Sequence, residues 1–392
     1  MNGKILIAGA IVAILCISVI AVPADAEDTG FDVTDGEGRT IHYDAPAERI
    51  VSTGAATTLT IAEADAVDKI VAVDKYSTYD YTGYETLSTM DAMDLGSFYG
   101  DTNHDYIVTS LINMVDAGEF SLDDTIILTS YTSNRVLCER LTEAGFTKVL
   151  VWTTDSVPDY DAIVQMVSDV SRIVSGTVPE SVSAMLEKTE TVSDAVTGVE
   201  DRTKALFVWY TGGEFSVGNS SIMNSMLEVA NADNIGYNDS TASHYGDVNM
   251  IISLLEQNPG TVIFVNYSYG TAGGTAESFR NEVLGGNTDY PVVIMDSLWN
   301  NWCPESADGL MTVGQYLYPE LLGEPYEGYM DDYDIWGGSE DPVPGGDDEP
   351  DTDPGASDDG ETGVSEGLFI FGGVVALVGS IVGLALAGRE KA

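Results

Sequence analysis

Apolar and polar positions alternate along the middle of the chain between two patterns. Short apolar runs bounded by turn residues predict strands over Arg49–Ser52, Lys69–Val73, Thr125–Thr129 and Val149–Trp152. The second half predicts more over Ala205–Tyr210, Thr261–Asn266 and Pro291–Met295. Most are rich in Val and Ile without polar alternation, as in parallel strands covered on both faces. Between them, helical spacing marks Thr57–Ala66, His104–Val115, Asn134–Ala144, Ile222–Ala230, Val248–Gln257 and Ala276–Val283. The βαβα order in each half predicts an α/β protein of two Rossmann-like lobes with mostly parallel sheets, residues 27–160 and 198–336. No strand pattern falls between Asp161 and Val196. Ile163, Met166, Val167, Val170 and Val174, then Met185, Leu186 and Val192, keep helical spacing around a break at Val178-Pro179. Residues 161–197 therefore read as a long helical spine, one helix or two end to end. Such a spine should restrict lobe closure, because bending a helix breaks backbone bonds or needs a kink.

Two longer apolar segments lie outside this pattern. Ile5–Val22, followed by Ala24-Asp25-Ala26, reads as a signal peptide over residues 1–26, with an uncleaved anchor as the alternative. Residues 368–388 are apolar, uncharged and long enough to span a bilayer, which predicts a C-terminal transmembrane helix. Arg389 and Lys391 follow, so the tail, 389–392, is placed in the cytoplasm and the lobes outside. Residues 337–367 join lobe to span through Pro, Gly and eleven carboxylates without Lys or Arg, a disordered acidic stalk.

Charge narrows the function. The 392 residues carry 15 Lys and Arg against 64 Asp and Glu, a net charge of −49. A nucleic-acid surface needs clustered cations, so that class is excluded. The stalk holds only a minority of the carboxylates, so the lobes are acidic too, as suits salty surroundings or an acidic cell surface. Hydrophobic residues make up 44%, too many for a disordered chain. The three cysteines form no disulfide scaffold. Cys138, on an apolar helical face, and Cys303, after Trp302, read as unpaired buried thiols.

No dinucleotide or phosphate-loop glycine motif, zinc-protease helix, Cys-x-x-Cys or nucleophile elbow is present. His42, His104 and His244 are scattered and read as surface residues. The glycines Gly270, Gly273 and Gly274 read as a flexible loop. These absences argue against an enzyme.

Several segments in order carry a resemblance. Asp32-Val33-Thr34-Asp35, Gly38-Arg39-Thr40-Ile41 and Pro46-Ala47-Glu48-Arg49-Ile50-Val51-Ser52 open it. Ala66-Val67-Asp68-Lys69-Ile70-Val71-Ala72-Val73-Asp74, Asn258-Pro259-Gly260-Thr261-Val262-Ile263 and Gln315-Tyr316-Leu317-Tyr318-Pro319-Glu320-Leu321-Leu322 continue it. Together they resemble the helix-linked periplasmic binding proteins of iron-siderophore, haem and vitamin B12 ABC importers, over about residues 31–325. The resemblance implies a cleft between the lobes, no catalysis, no covalent cofactor or resident metal, a monomer, and an ABC permease as partner. It also implies one acidic docking residue per lobe. Asp105 stands at that position in the first lobe. The second-lobe position is Ile252, flanked by Asp247 and Glu256, which departs from the pattern.

Aromatic residues concentrate after strands, where α/β sheets bind ligands. Tyr76, Tyr79 and Tyr81 follow the second predicted strand, Phe98 and Tyr99 precede a helix, and Tyr131 follows the third strand. Tyr210, Tyr245, Tyr267, Tyr269, Trp299 and Trp302 hold such positions in the second half. Tyr76, Tyr99, Tyr131, Tyr210, Tyr245, Trp299 and Trp302 are the predicted ligand contacts, suited to a large ring system. Apart from Lys75, cations are nearly absent there, which favours a neutral or cationic metal chelate: a corrinoid first, haem or an iron-siderophore second. Asn219-Ser220-Ser221, Asn238-Asp239-Ser240 and Asn266-Tyr267-Ser268 match glycan-acceptor patterns. The alternative function is a surface or adhesion protein that keeps two lobes without a ligand.

Overall fold

The computed structural model describes residues 30–77, 87, 89–98, 100–154, 156–157, 159–219, 221–238, 244–296 and 298–325. The signal segment, stalk, membrane span and tail lie outside these residues, as do Tyr79, Tyr81 and Tyr99. Among the described residues no helix is long and apolar enough to cross a membrane.

The first lobe opens with a hairpin, β1 (Phe31–Thr34) and β2 (Thr40–Tyr43). It continues through β3 (Ile50–Ser52), α1 (Ala55–Glu63), β4 (Ile70–Val73), β5 (Met93–Asp94), α2 (His104–Ala117), β6 (Thr125–Ser130), α3 (Asn134–Glu143) and β7 (Lys148–Thr153). Two helices follow, α4 (Tyr160–Ser175) and α5 (Glu180–Val196). The second lobe begins with β8 (Lys204–Thr211), β9 (Glu214–Gly218), α6 (Ser221–Val229), β10 (Asp233–Asn234), β11 (His244–Tyr245) and α7 (Val248–Gln257). It ends with β12 (Val262–Val265), α8 (Tyr267–Thr271), α9 (Ala276–Val283), β13 (Val292–Ile294), α10 (Ser306–Leu317) and α11 (Pro319–Leu322).

The first sheet has the order β5-β4-β3-β6-β7 and every pairing in it is parallel. The second has the order β11-β9-β8-β12-β13, with β10 beside β8. There β8, β10, β12 and β13 pair in parallel, while β9 pairs antiparallel with both β8 and β11. The two-lobed α/β fold predicted from the sequence is therefore present. The sequence pattern missed the short strands β5, β10 and β11 and the hairpin partner β9, whose two to five residues are too few to show a period.

Why the strand runs lack alternation is visible in the packing. Successive strand residues point to opposite faces, and both faces are buried. Ala205, Phe207 and Trp209 of β8 join one cluster, while Leu206 and Val208 join another. In β6, Ile127 faces the first cluster, and Ile126 and Leu128 face a third. The first cluster is shared: it runs from Ile50 and Leu150 through α4 and α5 to Phe264 and Val293. Each lobe also keeps its own outer cluster beneath its outer helices.

The spine is not one continuous helix. Asp159 starts α4 by accepting from the Ala162 N–H at 2.9 Å. Gly176 ends it with φ +75°, a left-handed conformation that only glycine adopts cheaply. A Cβ at Gly176 would also lie 2.8 Å from Pro46 Cγ. Thr177 and Val178 then lead to Pro179, the N-cap of α5. The break thus needs Gly176 as much as Val178-Pro179. After it the two helices diverge in partners. α4 packs against α1 of the first lobe and α6 of the second, whereas α5 packs against α10, α11 and α6, all in the second lobe. Tyr160, at the start of α4, reaches across to Ser306 with oxygens 2.9 Å apart.

Both thiols are free and buried, as the sequence predicts. The glycine-rich stretch 270–274 is not a flexible loop. Gly270 and Thr271 close α8, Ala272 and Gly273 form the turn after it, and Gly274 lies under the Tyr269 ring, where a Cβ would sit 2.4 Å from the ring carbons.

Candidate functional site

The carboxyl ends of the parallel strands gather the loops after β3, β4, β6 and β7 in one lobe and after β8, β12 and β13 in the other. In the first lobe these loops are built from hydroxyls. Ser52 and Thr58 lie 2.9 Å apart, and Thr58 donates to Ser77 at 2.8 Å. Ser77 in turn donates to Asp74 Oδ1 through a short contact. With the Thr58 proton committed to Ser77, Ser52 donates to Thr58, so the relay runs one way toward the carboxylate. A second set links Thr57 to Thr129 at 2.9 Å, the Thr129 N–H to Thr53 Oγ1 at 3.0 Å, and Asn134 Nδ2 to the Thr129 carbonyl at 2.8 Å. Ser130, the last residue of β6, has φ +75°. That conformation is uncommon for serine, and such strain concentrates at ligand-binding turns.

Asp74 is buried, and its Oδ2 has no hydrogen-bond partner. Burial pushes its carboxyl up to about 6, against the opposing pull of the Ser77 hydroxyl and the Gly54 N–H. Asp94 on β5 adds a smaller upward push.

The second lobe uses aromatics where the first uses hydroxyls. Tyr210 lies 4.8 Å from Phe215 and 5.0 Å from Tyr269, centroid to centroid, and Phe215 lies 5.3 Å from Phe279. Tyr269 is tied to Ser278 at 2.6 Å. Asn266 after β12 accepts from the Tyr210 N–H at 2.8 Å and donates to Ser268. After β13, Trp299, Asn300, Asn301, Trp302 and Cys303 form a buried run. Beside it, Glu305 is pushed up to about 7, by burial first and then by Glu63 of the first lobe and by Asp308.

The structure separates the predicted ligand contacts. Tyr76 is half-buried under the Lys75 ammonium, 4.7 Å from its ring centroid. Tyr210 and Tyr245 are also half-buried, and the Tyr245 hydroxyl donates to the Gly236 carbonyl at 2.8 Å. Tyr131, Trp299 and Trp302 are packed inside hydrophobic clusters. Tyr99 lies outside the described residues. Asp105 is exposed on the first turn of α2 and pairs with Arg140 at 2.6 Å. Ile252 is half-buried on α7, and Asp247 is that helix's N-cap, accepting from the Met250 N–H.

Other expectations are corrected. His104 is wholly buried, with neither ring nitrogen hydrogen-bonded, so it is no surface residue. His244 is half-buried and stacks on Trp209 at 5.8 Å. Only His42 is exposed, beside Asp32 and Asp44. Asn219 and Asn266 are buried and hydrogen-bonded, so neither presents an amide to glycosylation. Among the described residues no group of three or more His, Cys, Asp or Glu could hold a metal ion. Sequence reasoning passed over Asp74, Asn134 and Asn300, each of which holds a buried side-chain oxygen without a hydrogen-bond partner. Asp74 did carry a signal, a carboxylate directly after a wholly apolar run.

No family profile matches the chain, and no curated protein does. Solved structures do match its fold. A TroA-like periplasmic binding protein, FepB from Veillonella parvula, superposes with a TM-score of 0.53 at 16% identity, over 74% of this chain and 91% of that one. CeuE of Helicobacter pylori, solved with Ni(II) bound, gives 0.52 at 13% identity, over 74% and 90%. The iron uptake ABC transporter substrate-binding protein PiuA of Streptococcus pneumoniae gives 0.51 at 13% identity, over 72% and 96%. The chain has the fold of the helix-linked periplasmic binding proteins, the class its sequence resembles.

Proposed function

We propose that this protein is the substrate-binding component of an ABC importer, held on the outer face of the cell membrane by its C-terminal segment. It captures a metal chelate between its lobes and presents it to a permease. The observation that carries the reading is the joining of two lobes with mostly parallel sheets through α4, in the fold shared with a binding protein of an iron uptake ABC transporter and a TroA-like periplasmic binding protein. A corrinoid is the first choice of ligand, haem or an iron-siderophore the second. The scarcity of cations at the strand ends supports that order. The boundaries 1–26, 27–160, 161–197, 198–336, 337–367, 368–388 and 389–392 are kept as the domain reading, with Gly176–Pro179 as a break within the spine.

The packing of Tyr131, Trp299 and Trp302 into cores supports the second reading, a surface protein that keeps the lobes without a ligand. Titrating the purified full-length chain with cyanocobalamin, haemin and ferric chelates, following tryptophan fluorescence, separates the two. Saturable binding of one chelate is the expected result. Binding of none leaves the adhesion reading standing.

A further inference from the structure

Three buried acceptor oxygens after strand carboxyl ends have no hydrogen-bond partner. Asp74 Oδ2 follows β4, Asn134 Oδ1 follows β6, and Asn300 Oδ1 follows β13 in the other lobe. Their residues are 1%, 0% and 5% exposed. The amide of Asn134 is fixed in orientation, because its Nδ2 serves the Thr129 carbonyl and leaves Oδ1 over. Asp74 is fixed likewise, because the relay through Ser77 ends on Oδ1.

Buried acceptors are almost always satisfied, so each of these asks for a donor. A carboxylate oxygen and two amide oxygens ask for the same thing, an N–H or O–H. None of the three offers a proton to an anionic ligand. β4 and β6 flank β3, so their carboxyl ends lie two strand spacings apart, about 10 Å; Asp74 directly follows the one, and Asn134 starts α3 four residues after the other. Gly54, following β3, lies between them. Its N–H acts on Asp74, and a Cβ there would meet Thr129 Oγ1 at 2.5 Å. A ligand that reached both oxygens would be broad and would carry donors on its rim.

We propose that Asp74 Oδ2 and Asn134 Oδ1 of the first lobe and Asn300 Oδ1 of the second accept hydrogen bonds from the rim of a chelate bearing amide or ammonium N–H groups. This rests on the importer reading and sharpens it: the site selects donor-bearing, uncharged or cationic chelates over carboxylate- or catecholate-rimmed ones. The oxygens are closed to water, so a ligand reaches them only by displacing the side chains that cover them. The charged groups near Asp74 are Asp94 on β5 and Lys75, whose ammonium lies over Tyr76. Ionised Asp74 accepts at Oδ2; in the acid form the proton sits on Oδ2, because Oδ1 takes the Ser77 hydroxyl, and that oxygen turns donor, so binding of an amide-rimmed ligand weakens as pH drops through about 6.

The test titrates the full-length chain with cyanocobalamin, whose rim carries amides, and with haemin and a ferric tricatecholate, whose rims are anionic. Cyanocobalamin should bind, and Asp74→Asn should weaken it about five- to tenfold, since a charged acceptor is roughly twice as strong as a neutral one. Asn300→Ala and Asn134→Ala should each weaken it roughly threefold to tenfold. If Asp74→Asn fails to fold, Ser77→Ala keeps the carboxylate while removing a hydroxyl that holds its pKa down. The pH midpoint of binding should then move up, and an unmoved midpoint overturns the proposal. Unchanged cyanocobalamin affinity in folded Asp74→Asn and Asn300→Ala overturns it too, leaving the importer reading intact. So does binding of haemin or the tricatecholate without cyanocobalamin. A wild-type chain that binds none of the three overturns both.

Discussion

The two lobes solve the same topological problem with different chemistry. Both end the parallel strands of a sheet in loops at the strands' carboxyl ends. The first stabilises its loops with a one-way hydroxyl relay and Thr-to-backbone bonds. The second stabilises its own with an edge-to-face aromatic cluster of Tyr210, Phe215, Tyr269 and Phe279. A hydroxyl network fixes direction and leaves acceptors over, whereas aromatic packing supplies apolar area and rigidity. The difference teaches that the same strand-end geometry can be held by directional polar bonds in one lobe and by apolar ring packing in the other. Their stability is nevertheless joint, because the largest cluster runs through both.

The comparison breaks first at Phe279, which is fully buried on α9 against Phe215 and Tyr269. Phe279→Ala should cost about 3–5 kcal/mol through the lost contacts and cavity. If the shared cluster couples the lobes, circular dichroism and tryptophan fluorescence will report one coincident transition at the lower midpoint. Two separate transitions would mean that the lobes are stabilised independently.

A smaller effect sharpens the contact between lobes. Glu305 is raised to about 7 and feels Glu63 across the interface. A carboxyl whose folded pKa exceeds its ordinary value favours the fold while protonated. Its contribution is complete below the ordinary value near 4.5 and is lost as pH rises through about 7. Glu305→Gln should therefore gain stability over the wild type between pH 5 and pH 8, by up to about 3 kcal/mol. Thermal melts at the two pH values measure it. Parallel slopes in variant and wild type would show that burial of this carboxyl is not what sets the pH dependence.

The smallest expected change in stability is at Asp105, whose side chain is 95% exposed and pairs with Arg140. Exposed pairs contribute about 0–1 kcal/mol, so Asp105→Lys should leave the melting temperature nearly unmoved. Under the importer reading it slows uptake in cells at unchanged ligand affinity. Uptake at the wild-type rate would remove Asp105 from the permease contact, and the second lobe, with Ile252, would then not be the weaker docking side.

Much of this fold is legible in the sequence. The strand runs of β3, β6, β8 and β12 and the helical spacing of α7 and α9 lie within a few residues of where the pattern put them. Runs buried on both faces carry a signal in every residue. The short edge strands were not legible, because β5, β10 and β11 have two residues each and owe their form to the neighbour they pair with. The site was less legible still. Position after a strand marked Trp299, Trp302 and Tyr131, yet their side chains turned into cores.

The sequence by itself determined the α/β class, the two lobes, the helical link, the free buried thiols and the acidity, because these follow from composition and local period. Tertiary structure alone decided which side chains at the strand ends are spent on packing and which polar atoms are left over. It also decided that Gly176 breaks the spine, through a left-handed turn pressed against Pro46. Both are questions of what lies nearby in space, and residues 130 positions apart, as Gly176 is from Pro46 and Glu305 from Glu63 on a larger scale, meet only once the lobes have formed.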